Sequence, residues 1–188
     1  AAGTDKHFAG EPDLDYGSDK DTPNIQRTRL PEITPQQGRH QVFLMTLQTT
    51  DVGHGQTTRG TQRRSPEIFI PLAARDADQE FWGWPNEFSP DPNWIGQLDE
   101  NGFGKMDRTN VPILLGERVI HATIWYNPTK HDIRIRSETL RSAGSVGDIF
   151  YFERTSGAGG YVYLAQIIPQ GTAQHATYIA HCTNRVKP

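Results

Sequence analysis

Residues 122–154, ATIWYNPTKHDIRIRSETLRSAGSVGDIFYFER, constrain the fold more than any other stretch of the chain. In Asp132-Ile133-Arg134-Ile135-Arg136 apolar and charged side chains alternate strictly. A strand there sends both isoleucines to one face and both arginines to the other. Just before it, residues 122–125 mix alanine with β-branched and aromatic residues, as strands do. Asn127-Pro128-Thr129-Lys130 then breaks the run with turn chemistry. Ser137 is placed to cap a short helix over residues 138–143, with Glu138 in its first turn and Gly144 just past its end. Residues 148–154 return as a strand. This order makes an antiparallel sheet that holds two guanidiniums and a Trp-Tyr-Asn-Pro-Thr-Lys-His tip away from its core.

The remaining strands follow the same logic. Residues 41–48 (QVFLMTLQ) form a nearly continuous apolar run, read as a strand buried on both sides. Residues 67–72 (EIFIPL) form a second strand, whose internal Pro71 puts its end at an edge or a bulge. Residues 73–81 are compatible with a short helix. Residues 111–115 and 119–125 read as a hairpin around Gly116-Glu117, and residues 161–168 follow a Gly-rich turn at 156–160. Residues 178–181 are expected to close the sheet as a last strand. Seven or eight short strands with one or two short helices in ~150 residues predict a mainly β fold, a closed or nearly closed barrel.

Residues 1–38 read as an acidic linker, with six acidic residues between Asp5 and Asp21 and no apolar periodicity. Residues 39–188 are then the folded domain. The net charge of −3 argues against nucleic acid at first sight. Much of that charge sits in the linker, however, so the folded part is close to neutral and can carry a basic face. The single cysteine, Cys182, excludes an internal disulfide and fits a reducing, cytoplasmic compartment. No apolar run approaches the ~18 residues of a membrane span, so no membrane partner is expected. The chain begins at Ala1, and a piece of a longer polypeptide is expected.

Two polar segments stand out. Residues 49–65 (TTDVGHGQTTRGTQRRS) could not join a core, and a polar loop of this length in a compact domain is more often functional or disordered than idle. Arg59, Arg63 and Arg64 can donate in pairs to guanine, and Gln56 and Gln62 can pair with adenine. Asp51, His54 and Thr58 share the loop. The second segment, residues 125–136, offers Trp125, Tyr126, Asn127, Lys130, His131, Arg134 and Arg136. Solvated surface loops and plain solvent-facing arginines are the ordinary alternatives for both. Arg108 and Arg141, with Lys130, are candidates for phosphate contacts.

Trp82, Trp84 and Trp94 are compatible with a sugar-stacking platform, but a core plug at a barrel end is the favoured reading. Asp91, Asp99, Glu100 and Lys105 faintly resemble a metal-dependent nuclease site, yet no acidic residue lies two positions before the lysine. The histidines show no metal-ligand spacing, and no nucleophile-elbow, phosphate-loop or His-x-Lys motif occurs. No catalytic residue, metal or cofactor is therefore expected in this chain.

The order of these pieces resembles the C-terminal domains of BfiI/NgoAVII-type restriction endonucleases. Those domains are similar to the plant B-three transcription-factor domain and to the effector domain of EcoRII. A strand leads to a polar arm containing Gly60-Thr61-Gln62, then to the aromatic plug and the run from Asp132 to Arg141. Gly147-Asp148-Ile149 comes next, and Ile167 to Thr172 with His175 completes the pattern. The resemblance covers residues 31–185. It implies a seven-stranded B-three-like pseudobarrel gripping double-stranded DNA in the major groove with two arms, here residues 49–64 and 125–136. It also implies a partner domain in the same polypeptide, an N-terminal phospholipase-D-like nuclease that works without metal. The chain itself would recognise a specific short site and not cut. A self-contained phosphodiesterase and a Trp-lined carbohydrate- or protein-binding β-module are the alternatives.

Overall fold

The structure, a computed structural model of the chain, describes residues 42–52 and 67–182. They form a mainly β fold in which one mixed sheet curls into a half-barrel. The strands are β1 (Val42–Thr46), β2 (Glu67–Pro71), β3 (Ser89–Pro90), β4 (Met106–Leu115), β5 (Arg118–Asn127), β6 (Asp132–Arg136), β7 (Ile149–Arg154) and β8 (Tyr163–Ile168). The ladder runs β1-β7-β8-β4-β5-β6-β2, with β3 added beside β4. All pairings are antiparallel except β4 with β8. The path ends at β1 and β2, and no β1–β2 pairing closes it among the described residues. Pro71 ends β2 at that edge, where its missing N–H costs no ladder bond.

The strict alternation of residues 132–136 is realised as expected. Ile133 and Ile135 are fully buried on β6, each contributing about 1.5–3 kcal/mol of transfer free energy, while the arginines face outward. The β4–β5 hairpin turns at Gly116, whose φ of +62° is left-handed and suits a residue without a side chain. Between Arg108 and Val111 the register of β4 shifts, with Asn110 at φ 57°. Such a bulge bends the strand and helps curl the sheet.

Helical segments are few and short. Residues 72–82 form two pieces, α1 (Leu72–Ala77) and α2 (Gln79–Trp82). The single helix read from the sequence breaks at Asp78, whose side chain accepts from Phe81 N at 2.9 Å and restarts the helix as an N-cap. Segment α3 (Glu138–Ser142) begins as expected, with Ser137 Oγ accepting from Leu140 N at 3.3 Å and Leu140 fully buried. The strand expected at residues 178–181 is instead helical, comprising the end of α4 (Ala173–Tyr178) and a 3-10 turn (Ile179–His181). Thr172 caps α4 by accepting from His175 N at 3.1 Å, and the Ala-Gln-His-Ala run behind it sustains the turns.

The aromatic plug is present, without one of its expected members. Trp82 lies against Phe43, Phe81 and Phe152, and Trp84 meets Phe88, Phe103 and Tyr126 edge-on at 5.0–5.1 Å. Trp94 is not in the plug. It lies half-buried over its own loop, where a Cβ on Gly96 or Gly104 would collide with its ring. Arg108 and Arg154 lock the plug to the sheet by donating to the carbonyls of Trp82 (3.0 Å) and Phe81 (2.9 Å). Both also donate to Tyr163 Oη and pair with Glu87. Arg108 is thereby consumed as a core brace, and the phosphate contact expected of it is corrected. Arg141, also expected at a phosphate, is buried too.

Candidate nucleic-acid interface

The turn between β5 and β6 is built by Asn127, whose Oδ1 accepts from Thr129 N at 3.0 Å and Lys130 N at 3.2 Å. His131 closes it at φ 49°, in the left-handed region that histidine visits more readily than most side chains. Thr129, Lys130 and His131 are exposed at the tip. Behind them, cross-strand pairing aligns Phe69 of β2, Arg134 of β6, Trp125 of β5 and Asp107 of β4 in one row on the outer face.

Glu67, the first residue of β2, organises this face. It is almost wholly buried and pairs in register with Arg136. Its Oε1 accepts from Trp125 Nε1 at 3.0 Å and from Arg136 Nε and Nη2 at 3.0 and 2.7 Å. Its Oε2 accepts from Arg134 Nη1 at 3.1 Å. Burial alone would raise the carboxyl pKa, but the hydrogen bonds from Arg136 and Arg134 outweigh it and hold Glu67 below its ordinary 4.5.

The two arginines are not equivalent. Arg134 is clamped side-on by Asp132, Nε to Oδ1 at 2.9 Å and Nη2 to Oδ2 at 3.0 Å. Its guanidinium lies between the rings of Phe69 and Trp125, at 4.6 and 4.8 Å. Its side chain is only 15% exposed, whereas that of Arg136 is 48% exposed. With Nε and one Nη2 hydrogen of Arg136 committed to Glu67, the donors left on this half-exposed side chain are Nη1 and the second Nη2 hydrogen, a two-donor fork. Trp125 also carries Lys105 over its ring at 5.4 Å.

The described start of the first arm, residues 49–52, is held to β2. Asp51 is fully buried, with Oδ1 accepting from Phe69 N and Oδ2 from Gln48 N, both at 3.0 Å. Its carboxylate thus ties the start of the polar loop to β2, and Glu67, the first residue of β2, is tied to β6 through Arg136. His54, Gln56, Thr58, Arg59, Gln62, Arg63 and Arg64 lie outside the described residues.

Three expected contact residues turn inward. Asp51 is the staple just described, and Trp125 is a buried platform for cations. Tyr126 is buried with its hydroxyl donating to Asp99 Oδ2 at 2.8 Å. Its pKa is pushed up to about 12, by burial first and then by Asp99. Glu67 is the organising residue of this face that the sequence reading missed. Its signal was a charged residue opening an apolar strand two positions from Phe69.

The acidic group near Asp91 resolves into structural pairs. Lys105 Nζ lies between Asp91 Oδ2 (2.7 Å) and Asp107 Oδ2 (3.4 Å), so an ammonium occupies the place between the two carboxylates. Asp99 accepts from Phe103 N and Asn101 N and shapes its loop. No cluster of three metal-ligating side chains occurs among the described residues, and none of their helices is long and apolar enough to cross a membrane. Comparison with protein-family models and with curated proteins finds no match for this chain.

Proposed function

We propose that this chain is a sequence-specific double-stranded DNA-binding module, the target-recognition part of a restriction endonuclease whose cutting domain belongs to the same polypeptide. One observation carries the reading. The described residues flanking the first arm, Asp51 and Glu67, are bonded to β2 and to β6, and β6 is one of the two strands that carry the second arm. Flanks held on adjoining strands fit two arms that enter one groove together. The B-form major groove, ~12 Å wide, admits a two-stranded ribbon such as the β5–β6 tip. The oriented fork of Arg136 matches the O6/N7 edge of guanine, and the exposed Lys130 matches a phosphate. The proposed task invokes neither metal nor cofactor, and a cytoplasmic setting fits it.

Selection from a random duplex pool with the purified chain, at about physiological salt, tests the proposal. Recovery of one short shared sequence is expected. With about 4–6 phosphates contacted, log K should fall against log[salt] with a slope of roughly −4 to −5. A slope near zero, or cleavage of DNA by the chain alone, overturns the reading.

A further inference from the structure

We infer that Glu67 is a specificity-determining positioning residue, which fixes the edge Arg136 presents to a base and withholds its charge from the phosphates. The inference rests on the DNA-binding reading above. A guanidinium can meet guanine side-on through Nε and Nη2 or end-on through Nη1 and Nη2. In this protein Glu67 Oε1 takes the Nε/Nη2 side at 3.0 and 2.7 Å, so only the end-on fork remains. The carboxylate is itself immobilised by Trp125 Nε1 at 3.0 Å and by Arg134 at 3.1 Å, and Arg134 is locked in turn by Asp132 and two aromatic rings. Orientation therefore passes through a rigid chain of contacts to a side chain that stays half exposed.

The charge arithmetic points the same way. Arg134 and Arg136 bring two positive charges, while Glu67 and Asp132 bring two negative ones. The cluster is neutral and contributes little to non-specific attraction. Its value lies in directed hydrogen bonds, which distinguish bases, and not in Coulomb energy, which does not. Glu67 also begins β2 at the end of the first arm, so the same carboxylate sets the second arm's reader against the root of the first.

The test compares the wild-type chain with Glu67→Gln and Glu67→Asp, on the duplex recovered by selection and on a scrambled version. Melting temperatures are measured in parallel. Glu67→Gln removes the negative charge while keeping an acceptor for Trp125. Cognate affinity should fall about tenfold, within the range of one bidentate base contact. Scrambled-duplex affinity should rise severalfold, and the salt slope should steepen by about one as the released guanidinium finds a phosphate. Glu67→Asp keeps the charge on a stem one methylene shorter. It should lose discrimination with the slope unchanged, and it keeps the test decisive if the glutamine variant does not fold. A merely structural glutamate would lower cognate and scrambled affinity in proportion, and that result overturns the inference. So does full discrimination in a folded Glu67→Asp. A wild-type chain that binds no duplex at all sinks the proposed function itself, which is a different outcome.

Discussion

Along the β5–β6 arm, the difference between lysine and arginine becomes measurable. Lys130 is an exposed point charge, while Arg136 is an oriented fork and Arg134 a clamped brace. Lys130→Ala should weaken cognate and scrambled duplexes alike and make the salt slope shallower by about one. Arg136→Ala should cost about 1–3 kcal/mol on the cognate duplex, little on the scrambled one, and relax preference at one position. Arg134→Ala removes the partner of a buried carboxylate, so it should lower thermal stability as well as binding. Titrations of the three variants on both duplexes, with melting curves, check these outcomes, and equal proportional losses for all three would mean that the tip positions DNA without reading it. Alternation showed that both arginines share a face, and the structure agrees. Which one keeps an exposed edge was not legible, because that depends on Glu67, 67 residues from Arg134 in sequence, and on register across β2 and β6.

Elements away from the arms should govern stability and leave sequence preference unchanged. Leu140 is the one fully buried side chain of α3, so Leu140→Ala should cost about 2–5 kcal/mol, read as a lowered denaturation midpoint. Ser137→Ala, which removes the cap on Leu140 N, should cost about 0.5–2 kcal/mol. Arg108→Ala strips charged hydrogen bonds from Trp82 O and Tyr163 Oη and should cost roughly 1.5–3 kcal/mol. A cognate preference altered in any folded variant of this set would place that element at the interface. The β-hairpins and α3 were legible because alternation, caps and turn residues are local signals. The run Tyr178-Ile179-Ala180-His181 misled, since a short apolar stretch does not separate strand from helix and the deciding cap, Thr172, lies six residues upstream of Tyr178. Arg108 and Trp94 were misplaced for a related reason. Their partners lie across the sheet or in the same irregular loop, and no periodicity encodes either.

Across the whole molecule, burial of phenols and of one thiol sets the behaviour at high pH. Tyr126 is raised to about 12 by burial and by Asp99, and burial also pushes up Tyr151, Tyr163 and Tyr178. Cys182 is raised to about 11 by burial. For each group the folded pKa lies above the unfolded one, ordinarily 10 for the phenol and 9 for the thiol. The unfolded chain therefore ionises first. Stability is complete below about pH 9 and is lost as pH rises toward the folded values. Glu67, Asp91 and Asp99 act at the other end. Their depressed pKa values stabilise the fold above the ordinary carboxylate range and cease to do so as pH falls through the folded values. The expected profile is a plateau through neutral pH with a fall on both sides. Denaturation midpoints across pH measure it, with phenolate absorbance recorded alongside. Tyr126→Phe should soften the alkaline fall, because one phenol no longer ionises on unfolding, even though the loss of its bond to Asp99 lowers the plateau. Phenolate signals that develop fully near pH 10 while the fold persists would show that these rings are open to water, and the packed plug behind the β5–β6 arm would then be wrong.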